Sequence, residues 1–538
     1  MRKFEFILGI CVAALSIAAL GAQSLPSPED PIWHYESWLE TAGLAEVGGM
    51  GLRSIDTPFV DEGGPWAGMF RERKVESADS FVPTFEGFTA EAGTTWNSSY
   101  PTSVNIGGLW EGRGLTPWVN STVEGTLGPF YARLGASASY SQNLDFPLGP
   151  SGLTDQPLAS VDGAVIDTPQ RYGTQPFSLF SLSNWEFRAT FGPFVASFSD
   201  QNLWFGPAVF NPLLLSSQAQ GFPHIRLGLE DWKTPIGDFE SQLVYGQLVN
   251  SQYWDPSVND GDRFFGGLFI GYTPSFFPQF TLGAGRTVIS YWNNLDWKVP
   301  VVLFIPGTSD AAGSLGNLFG YGTGESHQHI SITWRLKFDS VGFETYGEWG
   351  KNDFSPPRLY LINPEHMQAY TLGMKKSFAL PKNTLLGIGA ELTDLAQSQE
   401  SLINYNGYGW SGDWYAHGAI REGYTNDGQV LGASIGNGST AQILYADYYA
   451  GFGHIGFELR RWANRLLGLY LGPLPLTGSN AREYETDVEY DIGLRGDVPV
   501  GPVMYSLSVQ YQYDNDRYMI AYNDVVNWHV SFTTSLKL

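Results

Sequence analysis

His329-Ile330-Ser331-Ile332-Thr333-Trp334-Arg335-Leu336-Lys337-Phe338 places an apolar side chain at every second position and a polar or charged one between. Period 2 is the signature of a β-strand, whose successive side chains point to opposite faces. The pattern recurs along the chain. Val503, Tyr505, Leu507, Val509, Tyr511 and Tyr513 alternate with Met504, Ser506, Ser508, Gln510 and Gln512, and Tyr484, Thr486, Val488, Tyr490, Ile492 and Leu494 alternate with mostly acidic residues. No segment after the N-terminal leader has the 18 consecutive apolar residues that mark a membrane helix.

Working outward from these segments, strands are expected near 85–96, 116–125, 129–140, 183–191, 194–204, 222–231, 239–249, 264–273, 279–292, 328–338, 341–350, 370–379, 384–393, 441–450, 453–462, 483–494, 502–513 and 527–538. Thr126–Gly128, Gly192–Pro193, Leu380–Lys382, Gly451–Phe452 and Gly496–Gly501 read as tight turns. Between them lie the long links 141–182, 205–221, 250–263, 293–327, 351–369, 394–440, 463–482 and 514–526. A soluble sandwich shares the alternation, but its connections are mostly short at both ends. Short turns on one rim and long loops on the other describe an outer-membrane β-barrel, and strands of about ten residues suffice to cross when tilted. Hydrocarbon offers no hydrogen bonds, so a sheet in a membrane must close on itself. The expectation is an all-β transmembrane antiparallel barrel of about eighteen strands, occupying 85–538. Val341, Phe343 and Trp349 should face lipid and Glu344 and Glu348 the lumen, with Trp334, Trp349, Tyr484, Tyr511 and Trp528 as interfacial girdles. Trp528, Val530, Phe532, Leu536 and Leu538 alternate to the terminus, an ending that barrel-assembly machinery reads; Leu538 departs from the usual terminal Phe or Trp.

Composition agrees. Aromatics make up 15% of the 538 residues, charged residues only 16%, and Gly numbers 64, about 12% against an average near 7%. Lys+Arg 30 against Asp+Glu 54 gives −24, which excludes a general phosphate-neutralising surface and hence a nucleic-acid partner. Arg2 and Lys3, the apolar run Phe6–Leu20 and the small residues Gly21 and Ala22 read as a secretory signal peptide over 1–22. The sole cysteine, Cys11, falls inside it, so disulfides, thiolate chemistry and Cys-ligated metal are not expected. Residues 23–84 do not alternate. Trp33–Leu44 could form an amphipathic helix, either a periplasmic lead-in or a plug against the barrel mouth.

Several constellations carry possible chemistry. Gly432-Ala433-Ser434-Ile435-Gly436 matches G-x-S-x-G, but without the strand-to-helix elbow that motif needs. His327 and His329, with Glu325 nearby, could ligate a metal, or be a lumen-facing polar pair. Lumen-facing charge is mixed: Arg133, Arg188, Arg226, Arg286, Arg335 and Lys337 against Glu186, Glu240, Glu344, Glu348, Glu485, Asp487 and Glu489. Such walls suit a porin constriction or an internal ion-pair network. The 394–440 link holds Tyr405, Tyr408, Trp410, Asp413, Trp414 and Arg421. Sugars offer C–H faces to rings and hydroxyls to Asp and Arg, so these six are the candidate polysaccharide-binding residues; the bland alternative is that the rings pack the loop into the mouth.

One segment says more than barrel. Ser199-Asp200-Gln201-Asn202-Leu203-Trp204-Phe205-Gly206-Pro207, followed by Leu213-Leu214-Leu215-Ser216-Ser217-Gln218-Ala219-Gln220-Gly221-Phe222-Pro223-His224-Ile225, resembles the signature region of the capsule assembly protein Wzi family. Trp204, Gly206, Pro207, Ser217, Gln218 and Pro223 carry the match; Phe205 stands where the family has a second Trp, and Gln218 where it prefers Asn. Tyr35, Trp38, Leu39, Gly43 and Leu44 look like its N-terminal helix. The resemblance implies an eighteen-stranded outer-membrane barrel closed by periplasmic helices, acting as a lectin that attaches capsule. The partners it implies are surface polysaccharide, outer-membrane lipids and the assembly machinery, with a monomeric state and no cofactor. A porin or substrate-specific channel is the alternative, and no residue set points to an enzyme.

Overall fold

The computed structural model describes residues 31–45, 52–54, 63–67, 83–149, 151, 156–160, 166–254, 261–294, 326–352, 365, 367–396, 414–464, 487–520 and 522–537. Among them, eighteen antiparallel strands close into one barrel. In chain order these are β1 (Thr84–Asn97), β2 (Gly114–Leu127), β3 (Phe130–Ser141), β4 (Phe177–Phe191), β5 (Phe194–Ser199), β6 (His224–Thr234), β7 (Gly237–Leu248), β8 (Arg263–Pro274) and β9 (Phe280–Tyr291), then β10 (His327–Phe338), β11 (Phe343–Asn352), β12 (Gln368–Leu380), β13 (Thr384–Asp394), β14 (Thr440–Ala450), β15 (Gly453–Asn464), β16 (Asp487–Val500), β17 (Val503–Asn515) and β18 (Val525–Lys537). Each pairs with the next, and β18 returns to β1 in the register Thr89↔Lys537 to Asn97↔His529, which leaves no free edge at the join.

Alternation sets the faces. In β11, Trp349 is exposed on the outside while Glu344 and Glu348 are buried inside. Ile332 and Phe338 of β10 face out, and His329, Ser331 and Thr333 face in. Val341 is exposed as expected, but from a turn of 3₁₀ helix, Asp339–Val341, not from the strand. Tyr511 and Trp528 form an outward edge-to-face pair at 5.1 Å, while Tyr484 lies outside the described residues.

Two expectations need correcting. The strand expected over 194–204 ends at Ser199, because the chain leaves the wall at Asp200 and turns inward. The turn expected at Gly496–Gly501 is tighter: β16 continues to Val500 before β17 starts at Val503. Gly496 and Pro499 interrupt the apolar pattern but not the pairing, which runs on through Pro499↔Met504 and Val500↔Val503.

Candidate functional site

The lumen is filled from within. At the short-turn rim sits a helix, α1 (Pro31–Thr41), which starts two residues before the expected Trp33–Leu44 span and ends three before its end. Tyr35, Trp38 and Leu39 are buried against the inner wall, and Trp66 joins them. Tyr35 and Trp66 pack at 4.6 Å, and both touch Tyr449 of β14. The Trp38 indole N–H donates to Asp447 at 2.8 Å, and the Trp66 indole N–H to the carbonyl of Ala450 at 3.0 Å. A Cβ on Gly387 would lie 2.4 Å from the Trp38 ring, so the wall must be glycine there for the ring to dock. Polar ties flank the aromatic ones. Arg335 pairs with Glu40 at 2.7 Å, Lys375 with Glu344 at 3.2 Å, and Thr41 donates to Glu344 at 3.1 Å.

Above the helix runs a strap, residues 200–223, which contains the segment that resembles the Wzi signature. Leu203–Phe205 pairs as a short ribbon with Leu52–Ser54. Gly206 follows with φ +100°, a backbone conformation that strongly favours glycine, and a Cβ there would lie 2.2 Å from Glu348 Oε1 and displace that carboxylate. The next turn is pinned to the wall by two carboxylates. Glu391 accepts backbone N–H groups of Val209 (2.7 Å), Phe210 (3.1 Å) and Asn211 (2.8 Å), and the Tyr346 hydroxyl at 2.8 Å. Glu348 accepts the N–H of Leu213 at 2.8 Å. Thr371 donates to the Asn211 carbonyl at 2.8 Å. Trp204 is buried against Trp33 and donates to Ala208, and Ser217 is fully buried. Gln218 bridges to Asn105 and Ser103 of the link between β1 and β2. Pro207 is buried and Pro223 half-buried where the strap rejoins the wall.

A third layer comes from the 394–440 link, described from Trp414 on. It folds inward and is stitched to the strap. The Tyr415 hydroxyl donates to the Leu213 carbonyl at 2.8 Å and accepts the N–H of Ala433 at 2.6 Å. Ser216 donates through its N–H to the Leu431 carbonyl at 2.8 Å and through its hydroxyl to the Gly432 carbonyl at 2.6 Å. The strap leucines, Tyr415, Tyr424, Ile420, Leu431 and the wall residues Phe265 and Phe269 form one hydrophobic core.

This corrects one feature of the sugar-binding expectation. Trp414 is 2% exposed, its ring lying 5.2 Å from His329 and its carbonyl hydrogen-bonded to that imidazole at 2.6 Å. It presents no face to the exterior. Arg421 is half-buried, with its N–H donating to Tyr291. Tyr405, Tyr408, Trp410 and Asp413 lie outside the described residues. His327 and His329 both face the lumen, fully buried with rings 4.4 Å apart; Glu325 lies outside the described residues. Ser434 of the G-x-S-x-G match donates to Asn211 in the plug.

Among the described residues, several lumen charges form ion pairs. Arg226 bonds Glu230 and Glu186, and Arg460 bonds Asp491 and Glu489. His454 sits between Asp447 and Asp497, and Arg495 bonds Asp497. Between this wall and the plug remains a cavity of about 110 Å³, bordered by His34, Phe210, Asp447, Arg460, Arg495 and Gln510. At about 30 Å³ per water it holds a few solvent molecules, not a sugar ring.

Burial raises the pKa of two carboxyls of the inserted segments. Burial pushes Asp200 up to about 8, although it accepts the N–H of Trp185. Burial, with Asp167 nearby, pushes Asp427 up to about 7. On the long-loop rim, half-buried Trp110, Tyr172 and Tyr253 form a row. Trp110 stacks on Tyr172 at 4.4 Å, and Tyr172 meets Tyr253 edge-on at 5.4 Å. The sequence reading missed this row because its members come from three separate links.

Neither a protein-family model nor a curated protein matches the chain. Solved structures do. The chain is similar to Wzi of Escherichia coli, an outer-membrane protein involved in group 1 capsule assembly and described as a carbohydrate-binding β-barrel. The TM-score is 0.57 at 13% identity, covering 95% of this chain and 99% of that one. Acinetobacter baumannii OccAB2 matches at TM-score 0.42 and 11% identity, over 86% of this chain and 99% of that one. Pseudomonas putida OprB matches at 0.37 and 9%, over 85% and 94%. At such identities the likeness concerns the fold: this is a barrel of the outer-membrane type.

Proposed function

We propose that the protein is a non-catalytic, plugged outer-membrane barrel that holds surface polysaccharide at the cell exterior and so helps attach or assemble capsule or exopolysaccharide. The observation that carries this is the filled lumen. A diffusion channel needs an aqueous path, and here, among the described residues, a helix, a strap and an inward loop pack across the lumen and bond to its wall. The strap is also the segment with the Wzi-like signature, and the carbohydrate-binding Wzi barrel is similar in fold over nearly the whole chain. The alternative, a porin or substrate-specific channel, requires the strap to leave the lumen.

In this reading residues 1–22 are a cleaved signal peptide and 23–84 the periplasmic plug segment. The short-turn rim then faces the periplasm, as in such barrels generally, and the long loops face the exterior. Polysaccharide meets the outer surface of those loops, where Tyr405, Tyr408, Trp410, Asp413 and Arg421 belong to the same link and Trp110, Tyr172 and Tyr253 form a second set of rings. A polymer touching several such groups binds through the sum of weak contacts. Overall negative charge repels an acidic polymer, so arginines near the rings would supply local attraction.

The test is retention of surface polysaccharide by cells carrying Tyr408→Ala with Trp410→Ala, or Trp110→Ala with Tyr253→Ala. Heat-modifiable migration checks the barrel. Reduced retention with a folded barrel supports the proposal. Unchanged retention in cells lacking the protein altogether would refute it.

A further inference from the structure

A second cavity lies not in the lumen but on the lipid-facing wall. It measures about 770 Å³ and its lining is almost wholly apolar. The register explains its shape. Phe130, Ala189, Ala196 and Leu227 lie side by side across β3, β4, β5 and β6, so two methyl groups form a floor between two large side chains. Two residues further along the strands, Ala132 adjoins Phe187, which extends the floor toward β2 and closes the end away from the rim. The other end reaches Thr84 and Leu127 at the short-turn rim.

We propose that this bowl is a binding site for one phospholipid of the periplasmic leaflet, whose acyl chain fills it. Three considerations converge. First, the bowl is continuous with the apolar belt that the barrel presents to the bilayer, where Phe130, Phe187 and Leu227 are each about half exposed, so hydrocarbon is what reaches it. Second, its volume falls in the range of ligand sites, and an apolar recess of that size left unfilled forfeits dispersion contacts along its whole lining. Third, it lies over the pairing of the shortest strand in the wall. β5 is only six residues long, because the chain dives into the lumen after Ser199. Beyond that point the outward residues Phe180 and Leu182 of β4 are 76% and 65% exposed, as expected where a neighbouring strand is missing on one flank. A chain seated on Ala189 and Ala196 packs against both strands of that six-residue pairing. The choice of leaflet follows from position: the bowl opens toward the short turns, the periplasmic side of such barrels.

The test is native mass spectrometry of the full-length protein extracted from outer membranes in mild detergent, with chemical identification of whatever lipid stays bound. Wild type should retain a phospholipid. Ala189→Trp and Ala196→Trp fill the floor and should lose it, whereas Ala390→Trp, at an outward position between Ile388 and Leu392 on the far wall, should keep it. Heat-modifiable migration confirms closed barrels. If a tryptophan variant does not fold, Ala189→Leu, which fills the bowl only in part, replaces it and should lower retention. Equal retention by the filled variants, no retained lipid in wild type, or retention of lipopolysaccharide instead would each overturn the proposal.

Discussion

Replacing Glu391 should release the strap while leaving the barrel closed. Its two oxygens accept the N–H groups of Val209, Phe210 and Asn211 and the hydroxyl of Tyr346. In Glu391→Gln one oxygen becomes an NH₂. If that group replaces Oε2, the Tyr346 hydroxyl can rotate to accept from it, but Val209 loses its acceptor and meets a donor instead. If it replaces Oε1, Asn211 suffers the same, while Phe210 keeps its longer bond to Oε2 at 3.3 Å. At least one buried N–H is therefore left unmade, at about 1–3 kcal/mol each. Adding the weaker bonds of a neutral acceptor, strap docking should weaken by about 2–4 kcal/mol. At 1.4 kcal/mol per tenfold, the open population rises roughly 30- to 700-fold. Glu391→Ala removes all the acceptors and should do at least as much. The assay is hydrogen exchange at the amides of Val209–Leu213 in detergent or nanodiscs, with wall amides as the internal reference. Unchanged protection of Val209 and Asn211 in Glu391→Gln would falsify the assignment of Glu391 as the strap's anchor.

Other expectations follow from the same contacts. Gly206→Ala forces a Cβ to 2.2 Å from Glu348 at φ +100°, so it should expel the strap and raise single-channel conductance, with normal heat-modifiable migration. Trp414→Ala empties a fully packed site and should cost about 3–5 kcal/mol of local stability, seen as faster exchange at Tyr415 and Ala433. Asp200 and Asp427 have pKa values raised by burial to about 8 and about 7. A raised folded-state value means protons bound on folding, so the stability these groups lend is full below about pH 4 and is lost as pH rises through 7 to 8. The strap and inward loop should therefore exchange faster at pH 8.5 than at pH 5.5 after correction for intrinsic rates; equal protection would count against neutral carboxyls there.

The wall was legible because lipid imposes a simple rule. One face of each strand must be apolar, so period 2 in Ile332, Trp334 and Phe338 gave face and register together, and each expected strand has its counterpart. The interior was not legible in the same way. A plugged lumen is itself a hydrophobic core, so inward positions carry Phe265, Phe269 and Tyr346 as readily as charges, and the simple polar-inside rule fails. The run Phe264, Phe265, Leu268, Phe269, Ile270 is apolar on both faces and was the available signal that something packs inside β8. Gly387, set on the inner wall for Trp38, was another. Trp414 of the 394–440 link packs inward for a related reason: rings suited to a sugar surface are equally suited to a core, and sequence does not say which way a side chain turns. Asp200 marks where the wall ends. Its carboxyl caps the Trp185 N–H, local chemistry that an extended strand reading passes over.

The central claim, a barrel closed by its own strap, is tested most directly by the conductance of the intact purified protein in planar bilayers. Wild type should insert with little or no steady current, and Glu391→Gln and Gly206→Ala should each introduce discrete open steps. Large, steady wild-type currents, unchanged by either substitution, would contradict it and return the protein to the porin reading.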